Sequence, residues 1–290
     1  MAQRGGRRLA SDKEVMVFTS EVLALEVDGH VATLWLDREE ARNAMGSALW
    51  RDLPKAAAAV AADDSVRVLV IAAKGPHFTV GLDLKEMGGA LSGDGGGTST
   101  ATSNANLYQA VRTMQDSVTS IAALAIPVIA AVHGYCIGGG VDLISACDVR
   151  LGAANAVFSV REAKVAIVAD LGTLQRLPRI ISAGHMAELA FTGKDIDAQR
   201  AAQIGLINSV EGESADDVLA AAYALAREIA ANSPLAVRGT KAVLAANDGK
   251  TIDEGLEFVA RWNTMYLQSN DLREAMTAFI ERRPPVFTGS

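Results

Sequence analysis

Apolar residues recur along the chain with two different spacings, which together predict an α/β fold. Residues 22–27 and 30–36 alternate apolar and polar positions on either side of Asp28-Gly29. This pattern predicts two antiparallel strands joined by a type I′ turn. Residues 66–72 are apolar almost without interruption, as is typical of a strand with both faces buried.

In most of the remaining chain, apolar residues recur at the spacing of an α-helix. Residues 47–62 repeat apolar side chains three and four positions apart, which predicts an amphipathic helix. Ser233-Pro234 is a helix start signal, because proline suits the first helical turn. Further helices are predicted at residues 107–124, 172–181, 197–204, 215–232, 234–246, 252–268 and 271–281, and further strands at 128–132, 149–152, 157–160 and 206–210.

Residues 88–104 read GGALSGDGGGTSTATSN, a stretch of low complexity. Glycine, serine and threonine in this proportion predict a mobile segment. The segment precedes a predicted helix, so it is either a lid over a site or a surface loop without a function.

The residues that could form a catalytic or binding site follow the apolar run at 128–132. Three consecutive glycines, 138–140, are followed by a helix-like stretch that carries Asp142. A helix start presents free N–H groups and the positive end of the helix dipole, and glycine lets a ligand approach the backbone. The arrangement predicts a site that stabilises an anion, or an oxyanion hole if the charge develops during a reaction. Alternatively, Asp142 only complements the helix dipole.

Glu162 and Asp170 are the candidate proton carriers, with the apolar run 165–169 between them. Carboxyl groups in apolar surroundings have raised pKa values, and neighbouring acids shift the pKa values of one another. One acid can therefore act as a base while another acts as an acid. Asp170 also stands close to the predicted start of the helix at 172–181, so a helix-capping role is the alternative.

Composition narrows the classes of function. The formal net charge is −7, which argues against binding to nucleic acid or to an anionic membrane surface. The longest apolar run, at 121–132, contains a proline and is too short to span a bilayer. Cys136 and Cys147 lie in apolar sequence and are expected to be small core residues in a reducing compartment. His133 is likewise expected in the core.

The first residues favour a flexible arm. Arg4, Arg7 and Arg8 are not followed by the apolar segment of a secretory signal. A disordered arm at residues 1–19 is favoured over a transit peptide. A cytoplasmic location is therefore expected.

Three segments, HGYCIGGGVDL, ACDVR and REAKVAIVADLGTLQRLPR, resemble the crotonase superfamily, also called the enoyl-CoA hydratase/isomerase family, over about residues 20–287. Within it the chain is most similar to the Δ3,5-Δ2,4-dienoyl-CoA isomerases. Hydratases usually carry glutamate at the position of Asp142 and glycine-rich sequence at 169–171. The resemblance implies a crotonase-like spiral of ββα units: a core at 20–210 with the acyl-CoA site and a C-terminal helical trimerisation region at 211–290.

The resemblance also implies roles for individual residues. The backbone N–H groups of Leu82 and Gly139 would form the oxyanion hole, and the acids at 142, 162 and 170 would be catalytic. The C-terminal helices would build a homotrimer or a dimer of trimers. Residues placed near coenzyme A are Arg42, Ala44, Lys241, Phe279 and Arg282, the last two in some cases from an adjacent subunit. Without the resemblance, solvated charges and a core aromatic residue are the simpler interpretation.

The activity implied by the resemblance is the conversion of 3,5-dienoyl-CoA to 2,4-dienoyl-CoA in fatty-acid β-oxidation. Asp170 would remove a proton from C2, Glu162 would protonate C6, and Asp142 would help to place or polarise the pair. No metal or redox cofactor is expected, and no dinucleotide motif follows a strand. The alternatives are a 2-enoyl-CoA hydratase that uses Asp142 and Glu162, and a non-catalytic binding protein with the same fold.

Overall fold

Two β-sheets form the centre of the computed structural model, which describes residues 15–86 and 99–290. The strands are β1 Val15–Thr19, β2 Leu23–Asp28, β3 Val31–Leu36, β4 Val68–Ala73, β5 Val128–Val132, β6 Tyr135–Ile137, β7 Val149–Gly152, β8 Val157–Ser159, β9 Ile196–Asp197 and β10 Ser209–Val210. The larger sheet has the order β1-β2-β3-β4-β5-β7-β10, and the smaller has the order β6-β8-β9. In the larger sheet β1, β2 and β3 pair antiparallel, and β3, β4, β5, β7 and β10 run parallel.

Strand β4 lies in the middle of the larger sheet, and all six of its residues are buried. Because side chains alternate along a strand, Leu69 and Ile71 belong to one hydrophobic core while Val68 and Val70 belong to the other. The predicted strand with two buried faces is therefore confirmed.

Helices cover both faces of this sheet. The α-helices are α1 Ser47–Ala62, α2 Thr100–Ala122, α3 Gly139–Ser145, α4 Thr173–Arg176, α5 Ala183–Thr192, α6 Ala198–Gln203, α7 Ala215–Ala230, α8 Pro234–Ala246, α9 Ile252–Tyr266 and α10 Asn270–Glu281. The buried face of α1 includes Leu49 and Leu53 and packs into the core on one side of the sheet. On the other side, α7 buries Ala222, Ala226 and Ala230, whose small side chains allow close approach to the strands.

The smaller sheet brings distant segments together. Strand β6 leads directly into the turn at Gly138 and then into α3. Strand β8 runs parallel to β6, and the Gly138 N–H donates to the Ser159 carbonyl at 2.9 Å. The chain that leaves β8 therefore passes beside the glycine turn.

The hairpin is confirmed, but its predicted turn type is wrong. Asp28 pairs with Val31, which leaves Gly29-His30 as the loop. A type I′ turn needs positive φ at both central residues, and in this loop only Gly29, at 58°, has it.

Two predicted mobile segments are partly ordered. Val15–Thr19, assigned to the flexible arm, pairs with β2 as an edge strand, while residues 1–14 lie outside the described residues. Helix α2 begins at Thr100, where the Ser99 side chain accepts the Thr102 N–H, so residues 100–104 are helical. Ser99 in this stretch supplies a helix cap, a role that the low-complexity interpretation overlooked. Residues 88–98, which make up most of the segment predicted to be a lid or a surface loop, lie outside the described residues.

The predicted helix at 172–181 is shorter than expected. It forms one α-helical turn, α4, and then a 3-10 turn at Leu177–Arg179. Pro178 lacks the N–H that a continuing α-helix would need. Helix α5, capped by Ser182, was not predicted.

The C-terminal helices match their predicted positions to within about two residues. Helices α9 and α10 leave large apolar side chains exposed. These side chains are Ile252, Leu256, Met265, Leu272, Met276, Phe279 and Ile280. Among the described residues, no helix combines the length and apolar character needed to cross a bilayer.

Candidate active site

A cavity of about 300 Å³ lies between the glycine turn, the segment after β8 and helix α2. It is lined by all five residues predicted for the oxyanion hole and the proton transfers, namely Leu82, Gly139, Asp142, Glu162 and Asp170. Most of the remaining lining is apolar, including Leu107, Val111, Met114, Ile167 and Leu171. The cavity therefore surrounds a few polar groups with apolar walls, as ligand sites commonly do.

The Leu82 amide is held in a strand-like bridge. Met45 donates its N–H to the Gly81 carbonyl at 2.8 Å, and the Asp83 N–H donates to the Met45 carbonyl at 3.0 Å. Because successive N–H groups alternate in extended chain, the Leu82 N–H points away from Met45. It has no acceptor among the described residues.

The Gly139 amide is the first in helix α3. Its position at the helix start leaves it without an intrahelical acceptor, and it has none elsewhere in the described chain. Two unpaired N–H groups, from Leu82 and Gly139, thus belong to residues that line one cavity. Such a pair can stabilise negative charge on an oxygen atom between them.

Asp142 is 1% exposed and lies in the first turn of α3. Its Oδ1 accepts the backbone N–H of Thr173 at 2.6 Å. Burial raises the pKa of Asp142 to about 6, against the lowering effect of the bonds from Thr173. The carboxyl group therefore does more than complement a helix dipole, since it also fastens the start of α4 beside the glycine turn.

Glu162 opens the 3-10 turn Glu162–Val165 that follows β8. Its Oε1 lies 3.3 Å from where a Cβ on Gly138 would be, so the carboxyl group borders the glycine turn. Its Oε2 is buried without a hydrogen-bond partner among the described residues. Burial raises the pKa of Glu162 to about 7, and the charges of Asp142 and Asp170 add to this rise. A carboxyl group with this pKa can carry a proton at neutral pH.

Asp170 does not cap a helix, so that alternative interpretation is wrong. The residue before α4 is Gly172, and the free N–H of Thr173 is taken by the Asp142 carboxylate rather than by Asp170. Burial raises the pKa of Asp170. The carboxyl group of Asp170 is therefore left available to the cavity that it lines.

We expect Glu162→Gln to stabilise the protein more at pH 8 than at pH 5. The ordinary pKa of glutamate is 4.5 and the folded value is about 7, so the folded state keeps a proton that the unfolded chain has lost. The stability that this proton provides is complete below pH 4.5 and is lost as the pH rises to about 7. Glutamine does not titrate, so the variant avoids this loss of stability. Its gain in melting temperature over the wild type should be larger at pH 8 than at pH 5, by about 2–4 °C for each kcal/mol recovered. Glu228→Gln, on the exposed side of α7, is the control; an equal gain at both pH values would contradict the expectation.

The residues predicted near coenzyme A lie outside the cavity lining. The side chain of Arg42 is exposed, and its carbonyl accepts the N–H of Val80, a lining residue. Ala44 is half-buried close by. Phe279 is 82% exposed on α10, and Arg282 ends that helix with a φ of 53°.

Lys241 has a structural contact in this chain. Its Nζ donates to the Asp148 carboxylate at 2.7 Å and to the Ile126 carbonyl at 2.8 Å. These groups lie at the amino ends of β5 and β7, whereas the glycine turn follows the carboxyl end of β5. The structure therefore does not bring Lys241 to the cavity. Asp148 has a structural role, since its carboxylate also accepts the Val128 N–H.

The other core predictions are confirmed. Cys136 and Cys147 are both buried free thiols. His133 is 4% exposed, and its Nε2 bonds to the Gly75 carbonyl at 2.9 Å.

Sequence reasoning missed the residues around the acids. Gln115 donates to the Asp170 carbonyl at 2.6 Å, and Arg176 donates to the Leu171 carbonyl at 3.1 Å. Arg176 lies within the third segment that resembles the family but was given no role, whereas no motif marks Gln115, which is 55 residues from Asp170. The only available signal was position, since Gln115 adjoins the apolar face of a predicted helix that contains Met114 and Val118.

Comparison with known proteins identifies the family and the fold. The sequence model of the Enoyl-CoA hydratase/isomerase family matches residues 26–290. A mitochondrial Delta(3,5)-Delta(2,4)-dienoyl-CoA isomerase of Dictyostelium discoideum is 42% identical over 89% of this chain and 87% of its own length. A peroxisomal isomerase of the same name from Arabidopsis thaliana is 38% identical over 93% of this chain and 96% of its own. The crystal structure of an enoyl-CoA hydratase from Bacillus anthracis has a TM-score of 0.84 at 29% identity, covering 93% of this chain and 100% of that one.

The expected cytoplasmic location is wrong in the light of these relatives, whose names assign them to mitochondria or peroxisomes. The expectation of reduced cysteines does not distinguish the cytoplasm from other reducing compartments.

The similarity to the Bacillus anthracis structure confirms the predicted fold class of a crotonase-like α/β protein. The family match covers nearly all of the described residues, including both amide donors and all three acids. The chain therefore belongs to the enoyl-CoA hydratase/isomerase family.

Proposed function

We propose that the protein is an isomerase that converts 3,5-dienoyl-CoA to 2,4-dienoyl-CoA in fatty-acid β-oxidation. The observation that carries this proposal is that Asp170 lines the same cavity as Glu162 and the two unpaired amides. Two separate carboxyl groups suit the removal of a proton from one carbon and its return to another. Relatives named for this reaction support the choice of substrate.

In the proposed reaction the thioester oxygen accepts the N–H groups of Leu82 and Gly139. Asp170 takes a proton from C2, and the electron pair of that C–H bond spreads over the diene and the thioester oxygen. Glu162 then gives a proton to C6, so the double bonds move from C3 and C5 to C2 and C4. The pKa of Glu162, about 7, keeps a large fraction of this acid protonated at neutral pH. Exchange with solvent restores both carboxyl groups.

Asp142 supports this reaction by position and charge. Its bond to Thr173 ties the segment that carries Asp170 to the helix that carries Gly139. Its own pKa, about 6, leaves it mostly ionised at neutral pH, and a negative neighbour helps Glu162 to keep its proton. The shift of two double bonds is redox-neutral and uses only acid–base chemistry, so we propose that no cofactor beyond the coenzyme A of the substrate is needed.

We further propose that the protein is a homotrimer or a dimer of trimers. The exposed apolar side chains of α9 and α10 form a surface of the kind that subunits bury on association. Phe279 and Arg282 lie on this exposed helix, where they would be available to the coenzyme A of a neighbouring subunit. Arg42 and Ala44 would border the nucleotide from the same subunit as the cavity, whereas Lys241 is already paired with Asp148.

The proposed activity is tested by mixing the purified protein with 3,5-dienoyl-CoA and following the ultraviolet absorbance of the conjugated 2,4-dienoyl product. A parallel sample receives crotonyl-CoA, whose enone band disappears on hydration. Growth of the dienoyl band supports isomerisation. Loss of the enone band without growth of the dienoyl band would favour a hydratase instead, and no change in either sample would favour a non-catalytic binding protein.

A further inference from the structure

We infer that Gln115, together with Arg176, is a positioning residue that fixes the Asp170 carboxyl group in the cavity. This inference rests on the proposed function, in which Asp170 is the base at C2. Asp170 lies between the 3-10 turn Glu162–Val165 and helix α4, in a segment without regular secondary structure. Its place is set instead by side chains that bond to the backbone of its segment.

The first contact comes from helix α2. The Gln115 Nε2 donates to the carbonyl of Asp170 itself at 2.6 Å. The Arg112 guanidinium donates to the Gln115 Oε1 at 2.6 Å. This second bond orients the amide, because its oxygen is already occupied and its N–H₂ group is left to face Asp170.

The second contact comes from Arg176 and involves the same helix. Its Nη1 donates to the Leu171 carbonyl at 3.1 Å, and its Nη2 donates to Thr119 Oγ1 at 3.0 Å. Gln115 and Thr119 are four residues apart and so lie on one face of α2. Consecutive carbonyls, of Asp170 and Leu171, are therefore both linked to that face.

The far end of the segment is fixed by the active site itself. The Thr173 N–H bonds to Asp142, and Leu171 is 6% exposed in the core. On the other side, Val168, two residues before Asp170, is 73% exposed, whereas Ala169 is 6% exposed in the core. Between the buried Ala169 and Leu171, the Gln115 side chain bonds to the backbone of Asp170 itself. We call the bonds of Gln115 and Arg176 to this segment the α2 clamp.

The variant Gln115→Leu tests the clamp, since leucine has a similar bulk and no N–H to donate. We expect kcat for 3,5-dienoyl-CoA to fall about tenfold with little change in KM, because a misplaced base slows proton transfer more than it weakens binding. Gln109→Leu, on the exposed part of the same helix, should leave both constants unchanged. If the clamp acts through Asp170, adding Gln115→Leu to Asp170→Asn should cause no further loss. An unchanged kcat, or the same fold-loss in both backgrounds, would overturn the inference.

Hydrogen–deuterium exchange tests the clamp without substrate. Gln115→Leu should speed exchange at the amides of residues 168–173, while Gln109→Leu should not. If Gln115→Leu is insoluble, Gln115→Glu keeps the shape but loses the N–H at pH 8 and should give the same pattern. If amide exchange at residues 168–173 is unchanged in the Gln115 variants, the inference of the α2 clamp is overturned, even if the wild-type protein is an active isomerase. A wild-type protein that is inactive on 3,5-dienoyl-CoA overturns the proposed function, and the exchange pattern then still decides whether the clamp exists.

Discussion

Asp170→Asn is expected to lower kcat for 3,5-dienoyl-CoA by about 10³-fold, within the range that a general base contributes. Asparagine has nearly the same shape but cannot accept the C2 proton. The Asp170 backbone would keep its bond from Gln115, so the substrate should still bind. Initial rates of dienoyl absorbance at several substrate concentrations would separate kcat from KM.

The control for this variant is Asp64→Asn, an exposed acid in the turn after α1. It should retain wild-type turnover. A reaction in deuterated water gives an independent test. The Asp170→Asn protein should no longer exchange the C2 hydrogen of the substrate for deuterium. Wild-type turnover by Asp170→Asn would remove Asp170 from the mechanism and leave the removal of the C2 proton to another group.

Gly81→Ala is expected to reduce turnover about 100-fold, because it displaces one of the two amides of the oxyanion hole. The φ of Gly81 is 86°, a region that alanine avoids, and a Cβ there would lie 2.7 Å from the Ile137 carbonyl oxygen. Either the backbone at Gly81 or the backbone at Ile137 must therefore move. The Leu82 N–H follows directly in the chain, and Ile137 directly precedes the glycine turn, so either movement separates the Leu82 and Gly139 amides.

Gly29→Ala is a matched control for Gly81→Ala. Its φ of 58° imposes a similar conformational strain, but a Cβ at this hairpin meets nothing within 4 Å. It should lower the melting temperature slightly and leave turnover unchanged. Equal losses of turnover in the two variants would show that general destabilisation, rather than the position of the Leu82 amide, explains the effect.

Local sequence patterns were sufficient for the elements whose partners are near in sequence or whose burial is complete. Helix α1 and strand β4 were predicted because apolar spacing follows directly from which face is buried. The glycine turn and Asp142 were predicted together because strand, glycine and helix start are consecutive in the chain. Glu162 and Asp170 were proposed instead from the apolar run between them and from the resemblance to a known family. The type of the hairpin turn was wrong, since strand register decides which two residues form the loop.

Contacts between distant segments could not be predicted in the same way. The bond of Gln115 to Asp170 and that of Asp142 to Thr173 depend on how α2 and α3 pack around one cavity. A single glutamine on a helix gives no sign of such a role. The ion pair of Lys241 with Asp148 could not be predicted either. A lysine on a helix has the same local sequence pattern whether it binds a phosphate or a carboxylate.

Strand β4 contributes alternate side chains to the cores on both faces of the larger sheet. Neither core can lose its packing while β4 stays in place for the other, so the two layers are coupled in unfolding. We therefore expect the active-site side, with α1 and α3, and the opposite side, with α7, to melt as one cooperative unit. We expect a substitution that disrupts the alanine face of α7, remote from the cavity, to affect the active-site side through β4 and the other strands that both cores share.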